Sequence, residues 1–246
     1  MNVFHITYEP NYKILDIHFW GCNLKCRGCY KNYDTFDLGL SGHSVEGLLS
    51  LVPAAPPSIF LTMDEVLSKI NNLKPKYTIF MGQEAALDPE LPGLAQALHD
   101  TTHSHNILLT NGLVIPDLSH IDEVVFSFKA YNDKVHIEYT GRSNFQIMIN
   151  FRELLRTGIK TQAEIAYIPG LVEEDEIEAL AKYIGTIDPE LSFRVTQYFR
   201  VPGAPWRAAD QTQVERAAAR AKLHLKNVVS VTSDMKETTW KPERIF

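Results

Sequence analysis

Long apolar runs are missing from this sequence: no stretch of eighteen apolar residues occurs, so no membrane-spanning helix is expected. The opening Met1-Asn2-Val3-Phe4-His5 lacks the charged-then-apolar layout of a signal peptide, and a cytoplasmic protein is expected. A basic excess is missing too. Lys and Arg total 24 against 30 Asp and Glu, and the net charge of −6 disfavours a dedicated nucleic-acid binder. Cysteine is scarce, at three residues, and all three fall between positions 22 and 29. A disulfide framework would spread an even number along the chain, so this odd cluster points to a metal or redox centre. Internal repeats and low-complexity tracts are absent as well.

What is present fits one soluble domain spanning 1–246, with 45% apolar and 22% charged residues. Strand-like runs at 13–20, 77–81, 106–110, 123–128, 161–168, 192–199 and 227–231 alternate with helical ones. The helical runs cover 62–73, 89–100, 144–156, 173–184 and 211–225. Thr62 and Glu65 form a capping box at the first helix, and Asp210 caps the last. This order predicts an α/β protein with a parallel sheet and outer helices. The strand count falls short of a closed eightfold barrel, so a partial (β/α)6-type open barrel with parallel strands is expected. Residues 31–60, which include the Ala/Pro-rich Pro53–Pro57, read as one long excursion of the kind that is often functional.

The chemistry centres on Gly21-Cys22-Asn23-Leu24-Lys25-Cys26-Arg27-Gly28-Cys29-Tyr30. A C-x3-C-x2-C loop can give one thiolate to each of three irons of a cubane, leaving the fourth iron without a protein ligand. Gly21 and Gly28 supply backbone freedom for so tight a wrap. A structural zinc site, with His5, His18 or His43 as fourth ligand, is the alternative. Zinc motifs normally come as two separated pairs, and the sequence has no second pair.

These residues resemble the radical S-adenosylmethionine (SAM) superfamily, whose signature has this spacing after the first barrel strand. The resemblance continues in Gly82-Gln83-Glu84-Ala85, which looks like the family's Gly-Gly-Glu segment holding the amino group of SAM. It extends to Leu109-Thr110-Asn111-Gly112, Phe126-Ser127-Phe128-Lys129 and Ile168-Pro169-Gly170. It implies a [4Fe-4S] cluster on Cys22, Cys26 and Cys29, with SAM chelating the open iron. It also implies reductive cleavage of SAM to a 5′-deoxyadenosyl radical that abstracts hydrogen, and so no side-chain acid, base or nucleophile. Cofactor contacts are implied for Gly28, Tyr30, Gly82, Gln83, Glu84, Thr110, Ser127, Lys129 and Phe199. With no further cysteine, an auxiliary cluster has no ligands.

Motif order and length look most like the glycyl-radical-enzyme activases, such as that of pyruvate formate-lyase. The cysteine loop, with Gly28 and Tyr30, also looks like the activase of anaerobic ribonucleotide reductase. The implied partners are a one-electron donor such as flavodoxin or ferredoxin, and a glycyl radical enzyme. There are departures. Glu9-Pro10-Asn11-Tyr12 stands where activases carry an Asp-Gly-Pro-Gly-like segment, and Gln83 replaces a glycine. Leu109 and Ser127 stand where the pyruvate formate-lyase activase has carboxylates around a monovalent cation, and Phe199 where it has a histidine near the nucleoside.

Strand alternation turns Asp16 and His18 to one face, Ser127 and Lys129 to one face, and Gln162 and Glu164 to one face. Polar groups inside a barrel need a ligand or one another, so Asp16, His18 and Glu164 are candidate substrate contacts. They favour a second reading, a radical SAM enzyme acting directly on a small molecule or nucleotide. His103 and His105 are expected on an exposed loop.

Overall fold

A computed structural model describes residues 1–33, 40, 51–232 and 241–246. Its strands, in chain order, are β1 (Val3–Glu9), β2 (Ile14–Phe19), β3 (Tyr77–Gly82), β4 (His105–Thr110), β5 (Glu123–Phe128), β6 (Lys160–Tyr167), β7 (Ser192–Gln197), β8 (Val228–Val231) and β9 (Glu243–Arg244). The helices bounded within the described residues are α1 (Met63–Ile70), α2 (Leu91–Thr102), α3 (Asp133–Thr140), α4 (Phe145–Arg156), α5 (Glu174–Gly185) and α6 (Gln211–Ala221). The nine strands form one sheet in the order β8-β7-β6-β5-β4-β3-β2-β1-β9. From β2 to β8 every pair is parallel, and β1 and β9 add an antiparallel edge. Among the described residues the two edges do not pair, so the barrel is open, as expected.

Strand alternation separates two faces. Phe80, Leu108, Phe126, Ala163, Phe193 and Val195 turn to one side and are fully buried. The helices cover that side with apolar residues at helical spacing, such as Ile177, Leu180, Ala181 and Ile184 of α5. Phe126, Phe128 and Phe151 knit α4 to the sheet, with ring centroids 4.8–5.0 Å apart. The opposite face carries Ile79, Met81, Ile107, Leu109, Ser127 and Glu164, all half-buried. The pairing register places them side by side across the open lumen.

Several expectations need correction. The first strand is Val3–Glu9, and the strand entering the cysteine loop is the second arm of that hairpin. Glu9 fixes the hairpin turn, accepting from Asn11 Nδ2 at 2.8 Å and Tyr12 N at 2.6 Å. Helix α3 was not anticipated. Its sequence has no apolar stripe, and it is set by its ends: Asn132 Oδ1 accepts from Lys134 N and Val135 N, and Gly141 closes it at φ 76°. His105 does not sit on an exposed loop; it opens β4 half-buried, with Nε2 3.3 Å from Glu123. Much of the excursion at 31–60, His43 included, lies outside the described residues.

Candidate functional site

The cysteine loop leaves the C-terminal end of β2 and is held from three sides. Gln83, just past β3, brackets it: its side-chain oxygen accepts from Gly21 N at 2.6 Å, and its amide donates to Lys31 O at 3.2 Å. One side chain thus ties the start of the loop to its exit. Gly82 brings Gln83 into place. It has φ 116°, and a Cβ there would fall 2.5 Å from the Phe19 backbone, so only glycine fits. From a second side, the last turn of α3 offers its free carbonyls. Lys25 N donates to Thr140 O at 2.9 Å and Arg27 N to Tyr139 O at 3.0 Å. The third side is the segment after β7, where the Tyr198 ring packs on Gly28 and Trp206 lies edge-on to Tyr139.

Within this frame the three cysteines are free thiols: Cys22 exposed, Cys29 half-buried and Cys26 buried. Burial pushes the Cys26 thiol up to about 12, with the Lys129 charge acting against it. A metal bound there must therefore displace a proton. Cys22 Sγ already faces two N–H groups, Leu24 N at 3.4 Å and Asn111 Nδ2 at 3.7 Å. Among the described residues, no three Cys, His, Asp or Glu side chains are gathered as they would be around a single ion.

Glu84 bridges the ends of β3 and β4. It is buried, and accepts from Thr110 Oγ1 at 2.7 Å, Asn111 N at 2.8 Å and Ala86 N at 3.4 Å. Burial raises its pKa above the usual carboxylate value, and the donors from Asn111 and Thr110 oppose that shift. Thr110 is thereby committed to Glu84, and its oxygen also accepts from Gly112 N at 3.0 Å. Lys129, one residue past β5, lies within electrostatic reach of Cys22, Cys26 and Glu84 and makes no ion pair among the described residues. Tyr30 opens a short helical turn under the Lys31 ammonium, 5.3 Å from its ring, and Phe199 lies half-buried two residues past β7.

The lumen residues divide into two groups. Ser127 donates to Glu164, and Arg194 Nη2 binds the same carboxylate at 2.8 Å. Asp16 and His18 are buried four strands away on β2. The register carries Asp16 through Ile79 and Ile107 to Glu123, so it lies level with the start of β5. Gln162 points to Glu123, not to Glu164. His18 has neither ring nitrogen hydrogen-bonded among the described residues, and burial holds its pKa well below 6.5, helped by the Lys31 charge and His5. The structure thus keeps Asp16 and His18 apart from Glu164.

The sequence pattern of the radical SAM superfamily matches residues 17–184, more than half of the chain. The chain belongs to the radical SAM superfamily. This family works with a [4Fe-4S] cluster and SAM. A protein of Methanocaldococcus jannaschii, provisionally named a glycyl-radical enzyme activating enzyme, is 27% identical over 236 residues, 93% of this chain and 83% of its own. A domain of the pyruvate-formate lyase-activating enzyme of Bacteroides vulgatus superposes with TM-score 0.52 at 15% identity, over 62% of this chain and 96% of that one. Streptococcus suis SuiB superposes with TM-score 0.63 at 14% identity, over 92% of this chain and about half (52%) of SuiB. At such identities the superpositions establish the shared fold.

The residues of this radical SAM protein fit the family's cofactor. Three free thiols sit on one clamped loop, N–H donors face a sulfur, and Lys129, with no ion pair among the described residues, lies within electrostatic reach of two of them. Sequence reasoning did not single out Asn111, Arg194, Tyr139 or Tyr198. Asn111 was within reach, because its segment is a family motif, but Asn-Gly reads first as a turn. Arg194 alternates in phase with Thr196 on β7, so a lumen position was legible there too.

Proposed function

We propose that this radical SAM enzyme is a glycyl-radical-enzyme activase built as a single domain over 1–246. The observation that carries this is the relative of that provisional name, aligned along 93% of the chain. The lumen supports it. Its middle is lined by Ile79, Met81, Ile107 and Leu109, and Glu164 is already engaged by Ser127 and Arg194. An open apolar trough suits a glycine loop of a protein, which is recognised mainly through its main chain. In this reading Cys22, Cys26 and Cys29 hold the cluster. Glu84, presented by Gly82 and Gln83, takes the amino group of SAM, and Lys129 takes its carboxylate as a point charge. Gly28, Tyr30, Thr110, Ser127 and Phe199 shape the rest of the SAM site. The cluster and SAM supply one-electron cleavage of the sulfonium and a 5′-deoxyadenosyl radical; the protein's part is to orient them and exclude water. A one-electron donor such as flavodoxin or ferredoxin and a cytoplasmic setting complete the reading. Among the described residues no helix is long and apolar enough to cross a membrane.

The buried His18, with both ring nitrogens unpartnered among the described residues, favours the second reading, a small polar substrate held in the lumen. Reconstituted protein mixed with a candidate glycyl radical enzyme, reductant and SAM distinguishes the two. The activase gives 5′-deoxyadenosine together with a protein glycyl radical by EPR. Beforehand, about four irons per chain should bind and be lost on changing Cys22, Cys26 and Cys29 to Ala. Stoichiometric zinc without sulfide would falsify the cluster assignment.

A further inference from the structure

Gly28 lies between two of the cysteines, and its neighbourhood shows why no side chain stands there. A Cβ built on Gly28 would fall 2.6 Å from the Tyr198 hydroxyl oxygen and 2.9 Å from its ring. Gly28 is absent from the positive-φ glycines, so the backbone conformation does not demand glycine at this position. What demands it is the phenol, which comes up against the loop where a side chain would otherwise stand.

Tyr198 is 4% exposed, and its hydroxyl has no hydrogen-bond partner by geometry among the described residues. The phenol's own proton thus has no acceptor among the described residues. A buried donor left so is destabilising unless it finds an acceptor. The surrounding groups leave few candidates for the acceptor. Cys29 and Tyr33 lie within electrostatic reach; the Tyr33 hydroxyl donates to Pro202 O and makes no hydrogen bond with Tyr198. Tyr139, the other phenol on this side, is electrostatically coupled to Cys26, Cys29 and Tyr198. The unmet donor therefore lies against the loop at Gly28, between Cys26 and Cys29, with the Cys29 thiol within electrostatic reach. Iron–sulfur centres take such donors, and hydrogen bonds to their sulfurs set their potentials.

We propose that Tyr198 is a positioning residue for the cluster, its phenol donating a hydrogen bond to a thiolate or sulfide sulfur through the gap left by Gly28. This rests on the cluster assignment above. A hydrogen bond to sulfur stabilises the reduced, more negative centre more than the oxidised one. It thereby eases reduction by the electron donor.

The test is Tyr198→Phe, which keeps the ring and removes the donor. In reconstituted protein the expected result is unchanged iron and sulfide content and a midpoint potential lowered by about 59 mV, a tenfold shift in the one-electron equilibrium. Electron–nuclear double resonance of the reduced cluster in D2O should show one exchangeable coupling in wild type that the variant lacks. Gly28→Ala, whose Cβ displaces the phenol, should lose the same coupling and serves if the Phe variant holds less iron. A full cluster with the same potential and coupling in variant and wild type overturns the proposal alone. A shifted potential with the coupling retained overturns it as well, since ring packing would then be the cause. Wild-type protein that binds no iron and sulfide overturns the cluster assignment and this proposal together.

Discussion

At the scale of single residues, the bracket made by Gln83 is the least expected part of the site. In the sequence it is only a departure from a family glycine. In the structure its amide spans Gly21 N and Lys31 O, two points a glycine could not join. Each such bond contributes about 0.5–1.5 kcal/mol net, so the pair holds the loop closed by about 1–3 kcal/mol. Gln83→Ala should therefore speed loss of iron to a chelator by roughly tenfold, since 1.4 kcal/mol is a factor of ten. Gln83→Glu keeps the acceptor for Gly21 but turns an oxygen on Lys31 O, and should lose iron faster than wild type too. Equal release rates in all three proteins would show that the loop is held without this residue.

At the scale of elements, α3 shows where reading the sequence stopped. Strands and long helices were legible because their apolar residues recur with a period of two or 3.6, as in β5 and α5. The residues of α3, Asp133–Thr140, mix β-branched, charged and aromatic types with no stripe, and the helix exists through its caps and its contact with the cysteine loop. That contact is tertiary, and no local pattern encodes it. Asn132→Ala removes the cap and costs about 0.5–2 kcal/mol. Fraying of α3 should then raise amide exchange at Lys25 and Arg27, read by hydrogen–deuterium exchange; protection unchanged at both would refute the clamp. A second element-level device is the ion-pair cluster at the start of β5. The buried Glu123 binds Lys160 at 2.8 Å, His105 at 3.3 Å and Gln162. Burial acts to raise its pKa, but these partners together outweigh it and hold it below 4.5. A carboxylate with a depressed folded-state pKa contributes stability above its unfolded value and loses it as pH falls through the folded one. Urea midpoints measured downward from pH 6 should thus fall more steeply below about pH 4.5 for wild type than for Glu123→Gln. Parallel curves would remove Glu123 from the acid response.

At the scale of the whole molecule, the question is what the open lumen receives. Its polar groups were legible from strand alternation, and Asp16, His18, Ser127 and Glu164 do share the inner face. Their grouping was not legible, because it depends on strand order and on partners four strands apart. Asp16 lies level with the start of β5, while Glu164 is spent on Ser127 and Arg194. Half-buried Ile79, Met81, Ile107 and Leu109 lie between them. A glycine loop threading this trough would find apolar walls and would be held by its backbone, so neither carboxylate would be a main anchor. A small polar substrate would need them, and losing a charged contact costs about 1.5–3 kcal/mol. That corresponds to roughly ten- to a hundredfold in affinity. For the activase, Asp16→Asn and Glu164→Gln should therefore leave 5′-deoxyadenosine release and glycyl radical formation within a few-fold of wild type. Both are measured with the partner enzyme, by product analysis and EPR. A large loss of turnover in either variant, with iron content and SAM binding intact and no partner radical in wild type, would sink the activase reading. It would assign the lumen to a small polar substrate instead.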